Sequence, residues 1–386
     1  MNRTGQRRIA DQALALLEPR IITDYAQLQS FRAIEDAIHG NAQSLSWVEC
    51  WRKHVNKDSF IAALFAGGQP AMMLPFEVVG SDRLRVARYP GGSHANCNFP
   101  WLNFSQTVSV DRAGLEKLVA AIRQARPDID TLSLTRQLPQ LAGVDNPLLR
   151  LRSRPNPNPV LAASLYSGFE TVLERSNAKR KLKKHRQHGR RYEDAGGWRI
   201  YSPQTRKEAE QTLDVFFALK AHRFEQMGIS DPFAGTDVRA FFKDLFGKDA
   251  GRQNAATQLQ VLEVGGIIRS LMGKTIAKPG PSVEFSAIAN DELVSASPGE
   301  FLFYEDIKNS CGTGYEIYNF GIGDEPYKRE WCDIETVIYD TIMPLSTTGK
   351  IFTVLDSIKT HAVASIKSNP RLWQATKDLR RKFARR

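Results

Sequence analysis

The sequence predicts a two-lobed α/β protein in which each lobe is a mixed central β-sheet flanked by helices. Three observations carry this expectation. Helical and strand-like patterns alternate through both halves of the chain. A Gly-Gly step joins two strand patterns in each half, Gly67-Gly68 and Gly265-Gly266, as a tight hairpin turn requires. Between the halves lies Arg154-Pro155-Asn156-Pro157-Asn158-Pro159, where each proline bars a helix and holds its predecessor extended. A chain of 386 residues has room for two such domains.

The elements follow in order. Residues 1–20 read as a helical or frayed leader, and 21–153 as the N-terminal lobe. Leu28, Phe31, Ile34 and Ile38 fall at helical spacing between Asp24 and Val55, and Ser46 can cap a helix carrying Trp47, Cys50 and Trp51. Strands are expected at Phe60–Ala66, Ala71–Val79 and Leu84–Ala87. The loop GGSHANCNFPWL follows, then a helix over Arg112–Gln124 and a strand over Thr131–Leu134. Residues 154–165 are the expected linker and 166–345 the C-terminal lobe. That lobe should hold a basic helix (Ser176–Ala195), a second helix (Glu208–Met227) and a third around Phe241–Phe246. Strands at Leu259–Val264, Ile267–Ala277 and Val283–Ile288 come next. Residues 346–386 read as a basic helical tail. The two halves share the order helices, Gly-Gly hairpin, strand and helix, which reads as an internal duplication.

Composition bounds the function classes. The chain is 42% hydrophobic and 25% charged, which fits a globular protein with a sizeable core. A net charge of +11 favours acidic partners: phosphorylated cofactors, nucleic acid or anionic lipid heads. Cys50, Cys97, Cys311 and Cys332 are scattered singly, which disfavours a zinc ribbon or a thioredoxin-like pair and fits a reducing compartment. No run approaches the ~18–20 apolar residues of a membrane span, and the expected location is the cytoplasm. No metal site is expected, because no acidic partner accompanies His185 and His188.

The segment Ser297–Trp331, SPGEFLFYEDIKNSCGTGYEIYNFGIGDEPYKREW, is the richest in site signals. Pro298 and Gly299 open a helix expected to run from about Glu300 to Ser310. Gly312 and Gly314 end it, and a short strand follows at Tyr315–Phe320. Gly321, Gly323 and Asp324 then form a loop. A ligand there would meet backbone amides at the helix start, which suits an anionic, phosphate-bearing group.

The order of these motifs resembles the C-terminal part of the GNAT-type acetyltransferase domain of CelD-like cellulose-biosynthesis proteins and their FemAB-like relatives. The matching residues are Ser297, Pro298 and Gly299, then Gly321, Gly323 and Asp324, then Tyr327, Lys328 and Trp331. The resemblance extends back to about Phe169 through SNAKRKLKKHRQHGRR and LKAHRFEQMG. It runs more loosely through SLSWVECWRKHV and GGSHANCNFPWL. It implies tandem GNAT-like lobes, with 166–345 as the acetyltransferase domain. It also implies acetyl-CoA or another acyl-CoA as co-substrate, a small or sugar-derived acceptor, and a link to cellulose or exopolysaccharide biosynthesis. In such domains two parallel strands splay apart around the donor, here Val283–Ile288 and Tyr315–Phe320. The donor's pyrophosphate meets the following helix start, here Ser297, Pro298, Gly299 and Glu300, although the usual glycine-rich phosphate loop is replaced by SPGEFL.

Direct acyl transfer needs a base for the amine and an acid for the leaving thiolate. Tyr327 is the expected acid, and Asp324 the group that positions or deprotonates the amine. His222, Arg223, Glu284, Gly323 and Lys328 are expected to bind substrate, with Glu284 a base if it faces the cleft. The plainer alternatives are that Asp324 caps a turn, Tyr327 packs, Lys328 is solvated and His222 is a structural residue. The FemAB-like relatives imply a second donor, aminoacyl-tRNA, for which the Lys/Arg-rich Arg175–Arg191 segment would supply phosphate contacts. A non-catalytic binding or regulatory protein is the third reading.

Overall fold

The structure is a computed structural model that describes residues 17–35, 37–104, 110–175 and 177–368, with side chains to 358. The start of the expected leader and the end of the expected tail lie outside these residues. Two mixed sheets are present, each flanked by helices, as expected. The first runs in the order Leu17–Ile22, Ser59–Ala66, Gln69–Ser81, Leu84–Arg88, Thr131–Gln137, Tyr339–Pro344, Arg154–Pro155. The second runs Trp198–Tyr201, Thr257–Val264, Ile267–Ala277, Gly280–Ile288, Ile317–Ile322, Val160–Ser164, Ile334–Thr336.

The duplication is visible in the topology. In each sheet a hairpin and a third antiparallel strand lead to a helix, and the next strand returns parallel to the third. The crossover helices are Arg112–Ala125 and Pro298–Cys311. The parallel pairs are Leu84–Arg88 with Thr131–Gln137, and Gly280–Ile288 with Ile317–Ile322. Both hairpins turn on glycines that a side chain would strain: Gly67 and Gly68 have φ of +55° and +79°, Gly265 and Gly266 +58° and +78°.

Several expectations shift. Leu17–Ile22, part of the expected leader, is an edge strand paired along its length with Ser59–Ala66. The helical pattern from Asp24 resolves into a 3-10 turn (Tyr25–Leu28), one turn of helix (Gln29–Arg32) and a two-residue strand (Ala37–Ile38). A full helix forms only at Leu45–His54, capped by Ser44 rather than Ser46. The expected linker takes part in both sheets: Arg154–Pro155 pairs with Tyr339–Pro344, and Val160–Ser164 pairs with Ile317–Ile322 and Ile334–Thr336. The lobes therefore exchange strands, because Tyr339–Pro344 returns to the first sheet after the second is complete.

Side chains then weld the lobes. Trp47 and Trp51 of the first lobe pack edge-on against Phe241 of the helix Thr236–Gly247 at 4.9 Å. Behind them Asp244 is buried and accepts hydrogen bonds from Lys53 and His54, both at 2.8 Å, with Arg206 and Lys248 close by. Burial pushes the Asp244 carboxyl up, but the hydrogen bonds from Lys53 and His54 and the charges of Lys248 and Lys53 outweigh it and hold it well below the usual carboxylate range. His94, in the loop that follows Leu84–Arg88, sits among Phe233, Phe242 and Trp51. Burial lowers its pKa to about 4, despite a hydrogen bond to the Pro232 carbonyl and the nearby Asp231. Arg136 and Arg88 lower it further.

Two outcomes follow from this interface. Asp244→Ala removes the buried acceptor shared by Lys53, His54, Arg206 and Lys248 and should lower the unfolding free energy by about 2 kcal/mol in denaturant titrations, a figure already discounted for the exposure of Lys53 and Arg206. His94 is neutral when folded, so its contribution is full above the unfolded pKa of 6.5 and is lost as pH falls towards about 4. Melting curves of His94→Phe should lose less stability than wild type across that interval; equal slopes would contradict the assignment.

Candidate active site at the splayed strands

The second sheet opens where its two parallel strands meet. Gly280–Ile288 and Ile317–Ile322 share a single paired position, Ser282 with Asn319. Beyond it both strands bulge. Gly273 pairs with Phe285 and Lys274 with Val283, which leaves Glu284 as the extra residue. On the other strand the register against Val160–Ser164 shifts near Gly321, whose φ is +74°. Bulges end pairing and re-aim side chains.

The bulge turns Glu284 towards the other lobe. Its Oε1 accepts from Asn41 Nδ2 at 2.5 Å and Thr275 Oγ1 at 2.8 Å, and its Oε2 accepts from Asn96 Nδ2 at 3.0 Å. None of these partners is charged. Burial therefore raises the Glu284 pKa, and the three hydrogen bonds offset it only in part. Asn96 also donates to the Glu284 carbonyl at 2.9 Å and reaches the Val283 carbonyl at 3.5 Å, backbone acceptors that the splayed partner strand leaves unpaired. The two asparagines are held firmly. Gly40 N donates to Phe99 O at 3.0 Å, Phe99 N to Gln43 Oε1 at 3.1 Å, and Gln43 Nε2 to Asn98 Oδ1 at 2.8 Å. A cavity of about 350 Å³ between the lobes reaches this cluster, with Phe31, His39, Asn41, Trp47, Lys248 and Thr275 in its wall.

At the carboxyl ends of the strands the helix Pro298–Cys311 begins. Ser297 stands at φ +50° and its side chain makes no capping hydrogen bond, so the helix start keeps amides for a ligand. Gly299 lies against the end of the preceding strand: a Cβ there would come within 2.9 Å of Ile288 Cγ2. Glu300 is half-buried, with Lys184 at 3.8 Å. The helix is fixed to the sheet by a buried network in which Asp306 takes an ion pair from Lys274 and a 2.6 Å hydrogen bond from Tyr318.

The loop after Ile317–Ile322 carries the remaining residues. Gly323 N donates to Pro159 O at 2.9 Å. Lys328 is buried and spends its amine on Ile322 O at 2.7 Å and Glu325 at 2.9 Å, so it ties the loop rather than facing solvent. Asp324 is exposed and pairs with Arg329. Tyr327 stacks on Phe303 at 5.7 Å yet leaves 43% of its surface exposed. Desolvation of the phenol and the Glu325 carboxylate raise its pKa, and Arg223 opposes them. Arg223 and His222 are both exposed on the helix Arg206–Met227; the charge of Arg223 is felt at Tyr327, and His222 bonds to Gln226 at 2.9 Å. Burial pushes the thiols of Cys97 and Cys332 up to about 12, so neither is a thiolate at neutral pH.

The structure brings together Glu284, Asn41 and Asn96, and sets Arg223 near Tyr327. It puts Asp324 and His222 on the surface. Asn41 and Lys220 were missed in the sequence as site residues; Asn96 belongs to the GGSHANCNFPWL loop, read from the sequence as a candidate lining of a cleft between the lobes. Lys220 is half-buried between Phe216 and Phe224, and burial with nearby Arg223 lowers its pKa to about 8. A lysine with phenylalanine four residues away on either side was the available signal.

Residues 179–329 match the family described as acetyltransferase (GNAT) domain. The matched segment contains the splayed strands, the bulge and the uncapped helix. No curated protein sequence matches the chain. Among solved structures the chain is similar to FemX, with a TM-score of 0.56 at 12% identity over 84% of this chain and 97% of that one, a likeness of fold. A tandem GNAT protein from the clavulanic acid biosynthesis pathway scores 0.45 at 10% identity, over 86% and 99% of the two chains. L-PGS from Bacillus licheniformis scores 0.47 at 10%, over 85% and 97%. These two scores are too low to carry an argument.

Asn96→Ala strands the Val283 and Glu284 carbonyls and removes one donor from a half-buried carboxyl. It should lower stability by about 1–3 kcal/mol in chemical denaturation, and a change near zero would mean that water replaces the amide without loss.

Proposed function

We propose that the protein is a GNAT-type acyltransferase that moves an acyl group, most simply acetyl from acetyl-CoA, onto an amine or hydroxyl of a small or sugar-derived acceptor. The observation that carries this reading is the pair of parallel strands that part after one paired position, with a bulged acid on the first, inside the segment that matches the GNAT domain. The link to cellulose or exopolysaccharide production rests on the CelD-like resemblance alone.

The residues divide the work as follows. The amides at Gly299 and Glu300 and the backbone of the splayed strands would hold the donor, which supplies a thioester carbonyl. The interlobe cavity would seat the acceptor, with Asn41 and Thr275, the partners of Glu284, in its wall. Glu284 takes the proton that the amine must lose, a base role in place of the one expected for surface-bound Asp324. Nitrogen then bonds to the carbonyl carbon, the C–S bond breaks, and Tyr327 gives its phenolic proton to the departing sulfur. The raised pKa of Tyr327 keeps that proton in place at neutral pH. Asn41, Asn96 and Thr275 orient the Glu284 carboxylate.

A second reading, an aminoacyl-tRNA donor, draws on the helix Ala178–Asp194, where Lys179, Lys183, Arg186 and Arg190 are all exposed.

Two measurements test the primary reading. Acetyl-CoA should bind in calorimetry at sub-millimolar concentration; no heat at millimolar acetyl-CoA, with salt-sensitive tRNA binding instead, would favour the second reading. With an acceptor found by thiol-release screening, Glu284→Gln should lower kcat about 100-fold, and Tyr327→Phe by a smaller factor. The base must be ionised, so wild-type kcat should fall as pH drops through the raised Glu284 pKa, and Glu284→Gln should lack that acidic limb.

A further inference from the structure

The helix Thr347–Ser368 follows the last strand of the first sheet and lies against that sheet with its pattern inverted. Its inward side carries Gly349, Phe352, Thr353, Asp356 and Ser357. Its outward side carries Ile351, Val354, Leu355 and Ile358, each 60–62% exposed and spaced at i, i+3, i+4 and i+7. A helix whose only task is to cover a sheet places such residues the other way round.

The orientation is fixed. Gly349 sits so close to the chain that a Cβ would come within 1.9 Å of Asp130 O. Ser346 bonds to Asp130, Thr353 Oγ1 donates to Gly349 O at 2.8 Å, and Asp356 forms an ion pair with Arg154. Rolling the apolar stripe inward would break the Asp356–Arg154 pair and lift Gly349 from its seat on Asp130. The stripe is therefore presented, four branched aliphatic side chains in one row.

Charge selects the partner. Residues 347–386 contain ten Lys and Arg against two Asp and no Glu, which is +8 of the chain's +11. The same segment carries Trp373 and Phe383. A second copy of this chain would bring two strongly positive segments together. Nucleic acid offers phosphates but no surface for a row of aliphatic side chains. An anionic bilayer surface meets both features at once: the stripe enters the acyl boundary and the cations meet the headgroups. No described helix is long and apolar enough to cross a membrane, so this one would lie in the interfacial plane.

We propose that the Ile351–Ile358 face of this helix docks the protein reversibly on an anionic lipid surface. The proposal is independent of the acyltransferase reading. It is tested by co-sedimentation of the full chain with phosphatidylcholine vesicles, with and without about 30% phosphatidylglycerol. Binding should be at least about ten-fold stronger to the anionic vesicles. It should fall at least about ten-fold in the variant Ile351→Ser, Val354→Ser, Leu355→Ser, Ile358→Ser, and by a smaller factor in Leu355→Ser alone. These side chains are exposed, so the variants should melt with the wild type, which the same samples can show by circular dichroism. Three results would overturn the proposal: no binding to anionic vesicles; binding unchanged by both variants, which leaves bulk electrostatics alone; or a dimer in light scattering that the four-site variant dissociates while vesicles remain unbound.

Discussion

The second sheet parts its parallel strands, and every backbone group released by that parting has to find another partner. This constraint organises the rest of the molecule. Val283 and Glu284 present carbonyls that Ile317–Ile322 no longer pairs, and Asn96 of the other lobe takes them up. A loop that must place one amide there needs its own scaffold, and the contacts among Gly40, Gln43, Asn98 and Phe99 provide it. The lobes are thus coupled through the site itself. Aromatic packing of Trp47 and Trp51 on Phe241, and the hydrogen bonds of Lys53 and His54 to Asp244, hold the coupling in register.

The same constraint explains why the acid at the bulge is unusual. A half-buried carboxyl held by two asparagines and a threonine is hydrogen-bonded but not neutralised. Neutral donors offset the loss of water only in part, so the group stays basic relative to a surface glutamate. Lys328 and Asp324 have the opposite fate. Each is tied into the loop by charged neighbours, and the loop's geometry, more than its chemistry, depends on them.

Much of the fold was legible because its signals are local. The Gly-Gly hairpins and the Pro-Gly helix start are each written in a few residues. What stayed hidden depends on distant partners. Val160–Ser164 is a strand only because Ile317–Ile322 and Ile334–Thr336, both far along the chain, lie on either side of it. Tyr339–Pro344 reads as the end of one lobe and pairs in the other. At the site, alternation along a strand leaves the facing of Glu284 open. The bulge that settles it arises from pairing with Gly273 and Lys274, and Asn41 and Asn96 are 243 and 188 residues away.

On the function proposed above, the parted strands and the helix start beside them hold the donor. Hydrogen exchange of the full chain with and without acetyl-CoA tests it most directly. The account predicts new protection concentrated in peptides covering residues 282–289 and 297–303, with little change along the basic helix at 178–194. Protection confined to the basic helix, or to the first sheet, would contradict it.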